Sequence, residues 1–131
     1  MQSYLKHYIN GAWVESQGGR RHEVIDPATE QPCTEITLGT AADVDAAVDA
    51  ARTAFESWSR STVDERKALL ARIIDEYKKR IPDLARSMAQ EMGAPMGLAM
   101  AAQAPTGLAH FATTMKALDS FVFEETVGKA K

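Results

Sequence analysis

The residues of this sequence that could carry out chemistry are few and scattered. Cys33 is the only cysteine, and a thiol becomes a nucleophile only beside an activating base, cation or helix N-terminus. It lies in an alternating, strand-like stretch with no such neighbour, which predicts a structural thiol. His7, His22 and His110 lack the i,i+4 spacing and cysteine companions of metal sites. These residues therefore predict neither nucleophilic catalysis nor a zinc-type centre.

Two further features could hold a charged ligand. The segment 93–97 (GAPMG) is the nearest approach to a glycine-rich phosphate loop. It departs from G-x-G-x-x-G and lies between two predicted helices, whereas dinucleotide binding needs a strand-to-helix turn. Glu91 falls in the last turn of a predicted helix, where the helix dipole disfavours an anion and a nearby cation would help. An ordinary surface glutamate, or one paired with a lysine, remains the alternative.

The composition indicates an ordinary globular chain. The 131 residues are 45% hydrophobic and 25% charged, which suits about one domain with a modest core. The formal net charge of −3 argues against a nucleic-acid partner, which would require a basic patch. No signal peptide and no apolar run approaching the ~20 residues of a membrane span is visible. With one cysteine and no possible internal disulfide, the expected location is the cytoplasm.

The elements that must position these residues begin with short strands. Asn10-Gly11, between apolar and aromatic residues, predicts a tight β-hairpin over residues 4–14. Residues 23–26 read as a strand stopped by Pro27, and residues 33–38 alternate as another strand.

Helices are predicted for most of the remaining chain. One begins at Thr40 and another at Thr62, where Glu65 completes a capping box. Pro82 is predicted to end the second helix and start a third, which Gly93 terminates. A fourth covers about residues 96–118, and Phe121–Phe123 reads as a strand. In the first helix, an apolar stripe at helical spacing predicts a core-facing side: Val44, Ala47, Val48, Ala51, Phe55 and Trp58.

Three ordered signatures carry a family resemblance. They read YINGAWV at residues 8–14, VIDPATE at 24–30 and DVDAAVDAAR at 43–52, followed by EMGAP at 91–95. Together they resemble the N-terminal portion of the NAD(P)-dependent aldehyde dehydrogenase superfamily, over essentially the whole chain. Ala94 stands where lysine is usual in the E-x-G-K-P pattern of that family. The fold class this implies is α/β: short β-hairpins, then three to four helices, then the start of an oligomerisation strand.

The resemblance carries further expectations about domains and activity. It implies that residues 1–131 form an incomplete N-terminal segment of a dinucleotide-binding domain, and that 121–131 begin a hairpin reaching a neighbouring subunit of a homo-oligomer. The parent enzyme would oxidise an aldehyde to a carboxylic acid with NAD or NADP. The catalytic cysteine, general base and cofactor cradle of the family would all follow residue 131. The chain alone is therefore predicted to be inactive and to bind no cofactor.

One site is implied by the resemblance. Some family members hold a structural Na⁺ or K⁺ with backbone carbonyls and a carboxylate, and these positions correspond to Val24, Ile25 and Glu91. A hard cation does prefer such oxygen ligands. The alternative function is a non-catalytic helical module that binds a protein partner through its apolar stripes.

Overall fold

The computed structural model describes residues 2–128. Five short strands come first: β1 (Gln2–Tyr4), β2 (Lys6–Ile9), β3 (Ala12–Glu15), β4 (Arg21–Asp26) and β5 (Gln31–Thr37). Strands β1, β5 and β4 form one sheet in that order, with β1 parallel and β4 antiparallel to β5. Strands β2 and β3 form a separate antiparallel hairpin.

The predicted hairpin turn at Asn10-Gly11 is confirmed, and a second turn follows β4. Asn10 and Gly11 have φ values of 52° and 77°, the positive values that a tight type I′ hairpin turn requires. Between β4 and β5, the Asp26 carboxylate accepts hydrogen bonds from the amides of Ala28 and Thr29, at 2.8 Å and 3.3 Å. This side-chain bonding to the following backbone stabilises the turn after Pro27.

Helices make up most of the rest: α1 (Ala41–Trp58), α2 (Val63–Met92), α3 (Met96–Leu98), a π-helical turn (Ala99–Gln103) and α4 (Ala104–Leu118). Both predicted caps are present. Thr40 caps α1, and the Glu65 carboxylate accepts from the Thr62 amide at 2.7 Å in the reciprocal capping box of α2. Gly93 ends α2 at φ 69°, in the left-handed conformation predicted for it. The α/β fold class expected from the sequence is confirmed.

The predicted helix break at Pro82 is wrong. Helix α2 runs through Pro82 without interruption, although an interior proline costs about 3 kcal/mol in a helix. Pro82 is exposed, so water can reach the backbone carbonyl that lacks its usual N–H partner. On the buried side, Ile81, Leu84 and Met88 pack against the core on both sides of the proline. This packing offsets the local cost and keeps the helix continuous.

The segment after α2 agrees with one expectation and differs from another. The predicted helical stretch over residues 96–118 is confirmed, and it continues through Pro105 because the preceding π-helical turn leaves a residue outside the α-helical hydrogen-bond pattern. Residues Phe121–Phe123 do not form the predicted strand. Within residues 2–128 no strand pairs with them, and all three side chains are exposed. Lys129–Lys131, the end of the expected hairpin segment, lie outside the described residues.

The core is small, and the predicted burial of the α1 stripe is wrong. The fully buried apolar residues within the described part are three alanines, Ala85, Ala99 and Ala104, where α2 meets the π-helical turn and α4. The large side chains of the α1 stripe are exposed instead: Val44, Val48, Phe55 and Trp58. Helical spacing correctly identified an apolar face, but no element of residues 2–128 covers it.

None of the helices described for residues 2–128 is long and apolar enough to cross a membrane.

Candidate functional site

Asp43 is the most highly connected charged residue, at the point where α1, the loop after β3 and the hairpin meet. Its carboxylate accepts hydrogen bonds from the Ser16 hydroxyl, the Gln17 amide (2.9 Å) and the Thr40 amide (2.8 Å). The residue is only 6% exposed. His7 of β2 approaches from the other side, with its Nε2 atom 4.0 Å from Asp43 Oδ2. The cluster therefore connects three segments that are distant in sequence.

This environment stabilises the charged form of Asp43. The Ser16 hydroxyl, followed by the amides of Gln17 and Thr40, holds the pKa of Asp43 far below its usual range, against the opposing effect of burial. A carboxylate that stays ionised has no proton to give as a general acid near neutral pH, and its low pKa makes it a weak base. The role of the cluster is to fix the start of α1.

The same cluster decides whether the start of α1 could hold a cofactor phosphate. The junction from β5 to α1 is the one strand-to-helix turn in the described part of the chain. Helix N-termini attract phosphate because their amides are free and the dipole favours an anion. Here the Asp43 carboxylate accepts from the Thr40 amide and already places a negative charge at the helix start. The residues at this junction do not fit a dinucleotide pyrophosphate.

The structure brings together the elements that carry the predicted cation-site residues. A Cβ atom added to Gly93 would lie 3.0 Å from Pro27 Cγ, so the end of α2 rests against the turn after β4. Glu91, the residue before Met92 at the end of α2, is exposed, as is Ile25 near the end of β4, whereas Val24 is half-buried.

A backbone irregularity lies at the same end of β4. The pairing register shifts between Val24 and Ile25, and Pro32 stands opposite Ile25. Because proline has no N–H, the ladder loses a donor at this position. The Val24 carbonyl accepts a hydrogen bond from the Cys33 thiol at 3.3 Å. Backbone carbonyl oxygens are among the ligands that a hard cation prefers.

The remaining candidates are dispersed. Cys33 lies half-buried in β5, His22 is exposed in β4 and His110 is exposed in α4. Across residues 2–128, no group of three or more His, Cys, Asp or Glu side chains is placed to hold a metal ion. From the sequence alone, Asp43 is an acidic residue close to Thr40, where the first helix is predicted to begin. Its partners Ser16 and Gln17 lie far away in the sequence, where no local pattern could reveal them.

Comparisons with known proteins agree along the whole chain. The family model described as "Aldehyde dehydrogenase family" matches residues 13–130. A 3-succinoylsemialdehyde-pyridine dehydrogenase from a Pseudomonas species is 43% identical over 132 residues, covering 100% of this chain and 28% of the relative. A putative aldehyde dehydrogenase of Staphylococcus aureus (strain bovine RF122 / ET3-1) is 43% identical over 128 residues, covering 98% of this chain and 27% of the relative.

Solved structures show the same likeness. An aldehyde dehydrogenase from Bartonella henselae superimposes with a TM-score of 0.94 at 37% identity, over 100% of this chain and 28% of that one. A mutant aldehyde dehydrogenase C from Pseudomonas syringae, in complex with NAD⁺ and octanal, superimposes with a TM-score of 0.90 at 35% identity. The match covers 94% of this chain and 25% of that one. The chain thus spans less than a third of the length of these proteins.

Proposed function

Since the chain belongs to the aldehyde dehydrogenase family, we propose that it supplies the N-terminal segment of an enzyme that oxidises an aldehyde to a carboxylic acid with NAD⁺ or NADP⁺. The observation that carries this proposal is the 43% identity to a dehydrogenase along the entire chain. The NAD⁺-bound relatives of known structure support the cofactor class.

The chain alone should not catalyse this reaction. Its thiol, Cys33, is placed in a strand and donates to a backbone carbonyl, and the start of α1 does not fit a pyrophosphate. Incubating the purified chain with aldehydes and NAD⁺ or NADP⁺ should give no aldehyde-dependent rise in reduced-cofactor absorbance. A sustained, aldehyde-dependent rise would contradict this part of the proposal.

A chimera tests the proposal directly. In it, this chain replaces the aligned N-terminal part of the Pseudomonas dehydrogenase, which corresponds to 28% of that protein. The expected result is a soluble protein that reduces NAD⁺ or NADP⁺ in the presence of the aldehyde substrate of that relative. A control chimera with the first 131 positions in scrambled order should be inactive. A folded but inactive chimera would count against the proposed function.

The proposed enzyme has three further features. Residues 121–131 would begin a hairpin that joins subunits of a homo-oligomer. The enzyme would be cytoplasmic, in keeping with a free thiol at Cys33. A Na⁺ or K⁺ ion would bind the carbonyls of Val24 and Ile25 together with the Glu91 carboxylate, a donor set that suits a hard cation.

The cation proposal has its own test. In the chimera, Na⁺ or K⁺ should raise the thermal unfolding midpoint relative to a large organic cation at equal ionic strength. Replacing Glu91 with alanine should remove this difference, while alanine at the adjacent exposed Gln90 should keep it. Equal ion dependence in both variants would exclude Glu91 as a ligand.

A further inference from the structure

The chain exposes more surface than a compact protein of its mass. Its accessible surface is 10,018 Å² at a mass of 14.3 kDa. The surface–mass relation of folded monomers gives roughly 6,800 Å² for this mass, leaving an excess of about 3,200 Å². Part of the excess comes from the extended segment after α4, and part from the exposed face of α1. Surface of this kind is normally covered in a functional protein.

One concave region stands out within this surface. A groove of about 520 Å³ lies where the end of α1 meets the start of α2. Trp58 lines it and is 47% exposed, and Ala68 and Leu69 add apolar surface from α2. Arg60 and Arg72 also line the groove, and neither forms a salt bridge within residues 2–128. The groove therefore combines an apolar surface with two arginines and one carboxylate, that of Glu65, so positive charge predominates in its lining.

The turn that shapes the groove is held in place before any ligand arrives. Arg66 donates from Nε to the Ser61 hydroxyl at 2.8 Å and from its guanidinium to the Ser59 carbonyl at 3.2 Å. The Glu65 carboxylate, which also lines the groove, is fixed by the Thr62 cap: its Oε2 atom accepts from the Thr62 amide and hydroxyl. A preformed groove lowers the entropy cost of binding.

We propose that this groove is the docking surface for an apolar, carboxylate-bearing segment from the later part of a family-length chain. The inference rests on the proposed function and names the surface through which the two parts meet. Tryptophan and arginine are the residues that contribute most often to interface hot spots, and a carboxylate pairs with arginine in a bidentate geometry.

The size of the excess accessible surface favours this occupant over a second copy of the chain. A dimer that covered the excess on both copies would bury roughly 6,400 Å² in total, at the large end of the roughly 2,000 to more than 5,000 Å² found for obligate homodimers. The relatives contain more than twice as much further chain as this protein spans, because it matches only 28% of their length. That remainder is large enough to cover several faces at once.

Hydroxyl-radical footprinting of Trp58, read by mass spectrometry, tests the proposal. The oxidation rate of Trp58 is compared between the isolated chain and the chimera, each normalised to a tryptophan dipeptide in the same sample. Burial of a side chain that is now 47% exposed should lower the rate about fivefold in the chimera. An active chimera in which Trp58 reacts as fast as in the isolated chain overturns the inference and leaves the proposed function standing.

A charge-reversal pair supplies the second measurement. Arg72→Glu should reduce the yield and activity of the chimera by about tenfold, because it places a negative charge opposite the proposed carboxylate. Arg52→Glu is the matched control, since Arg52 is an exposed α1 arginine that does not line the groove and has no salt bridge in the described residues. Equal effects of the two variants overturn the inference.

Two further outcomes are covered by the same reagents. If the chimera is insoluble, the chain is co-expressed with the remainder of the relative as a separate polypeptide. Co-purification should then be lost with Arg72→Glu and kept with Arg52→Glu, and equal retention overturns the proposal. Sedimentation velocity of the isolated chain tests the other occupant: concentration-dependent association that protects Trp58 and is abolished by Arg72→Glu assigns the groove to a second copy.

Discussion

At the scale of single residues, Asp43 shows how a charged group can organise a fold without taking part in chemistry. Its carboxylate accepts from the hydroxyls of Ser16 and Thr40 and from the backbone amides of Gln17 and Thr40, which belong to two separate segments. Charge-assisted hydrogen bonds of this kind are about twice as strong as neutral ones. The loop after β3 is therefore held against α1 by one side chain.

The first prediction concerns the pH dependence that this residue creates. Because the folded-state pKa of Asp43 lies well below 3.8, its contribution to stability is fully present above about pH 4 and is lost as the pH falls through the folded pKa. Asp43→Asn should lower the urea midpoint at pH 7 and flatten its decline below about pH 4.

The measurement is the urea midpoint by circular dichroism from about pH 7 to about pH 3. Asp45→Asn is the control, because Asp45 lies in the same part of α1, is exposed and accepts no hydrogen bond among the described side chains. If the two variants have the same pH profile, Asp43 does not have the structural role assigned to it.

At the scale of elements, the contact between α2 and α4 depends on a close approach at Gly107. The Tyr77 hydroxyl donates to the Ala104 carbonyl at 2.8 Å, and its ring meets Phe111 edge-on with ring centroids 6.2 Å apart. A Cβ atom added to Gly107 would lie 2.3 Å from Tyr77 Oη. The two helices can pack at this distance only because residue 107 has no side chain.

The second prediction follows from that geometry. Gly107→Ala should destabilise the chain by about 1–3 kcal/mol, because the methyl group displaces Tyr77 from its hydrogen bond. Gly97→Ala is the matched control: it is also a helical glycine, but its added Cβ meets nothing within 4 Å. There the substitution should stabilise by about 0.4–1 kcal/mol. The measurement is the thermal unfolding midpoint of each variant. Midpoints that shift in the same direction would contradict this interpretation.

These elements also show which features of the fold could be predicted from the sequence. The hairpin at Asn10-Gly11 and the caps at Thr40 and Thr62 were predictable because each depends on residues within four positions of one another. The prediction of a helix break at Pro82 was wrong because the packing on both sides of the proline outweighs the local cost of an interior proline. Such packing depends on α4, which is distant in sequence. For the candidate cation site, the sequence identified the residues, but only the structure shows that Gly93 lies close to Pro27.

At the scale of the whole molecule, apolar patterning and burial do not coincide. The α1 stripe has the spacing of a core-facing helix, yet Phe55 is 67% exposed and the buried core of the described residues contains only alanines. Periodicity reports which face of a helix is apolar and does not report what covers it. A chain that matches less than a third of its relatives accordingly presents the faces that a longer protein would bury.

The third prediction concerns the cooperativity of the isolated chain. Because the denaturant m-value scales with the surface exposed on unfolding, a chain with few buried side chains should have a small one. Its urea m-value should lie at or below about 1 kcal/mol per M, the lower end of the range for small proteins. In the chimera the transition should be steeper. A steep two-state transition of the isolated chain would show that it is a self-sufficient domain, as the alternative of an independent interaction module requires.

The parallel pairing of β1 with β5 has a consequence for biosynthesis. Tyr4 lies beside Ile36, so β1 cannot find its sheet partner until β5 has left the ribosome. At synthesis rates of about 5–20 residues per second, β1 waits roughly 2 to 6 seconds. During that interval the β2–β3 hairpin can already close, because its strands are adjacent in sequence. The order of translation thus makes the hairpin an early folding unit and the three-stranded sheet a later one.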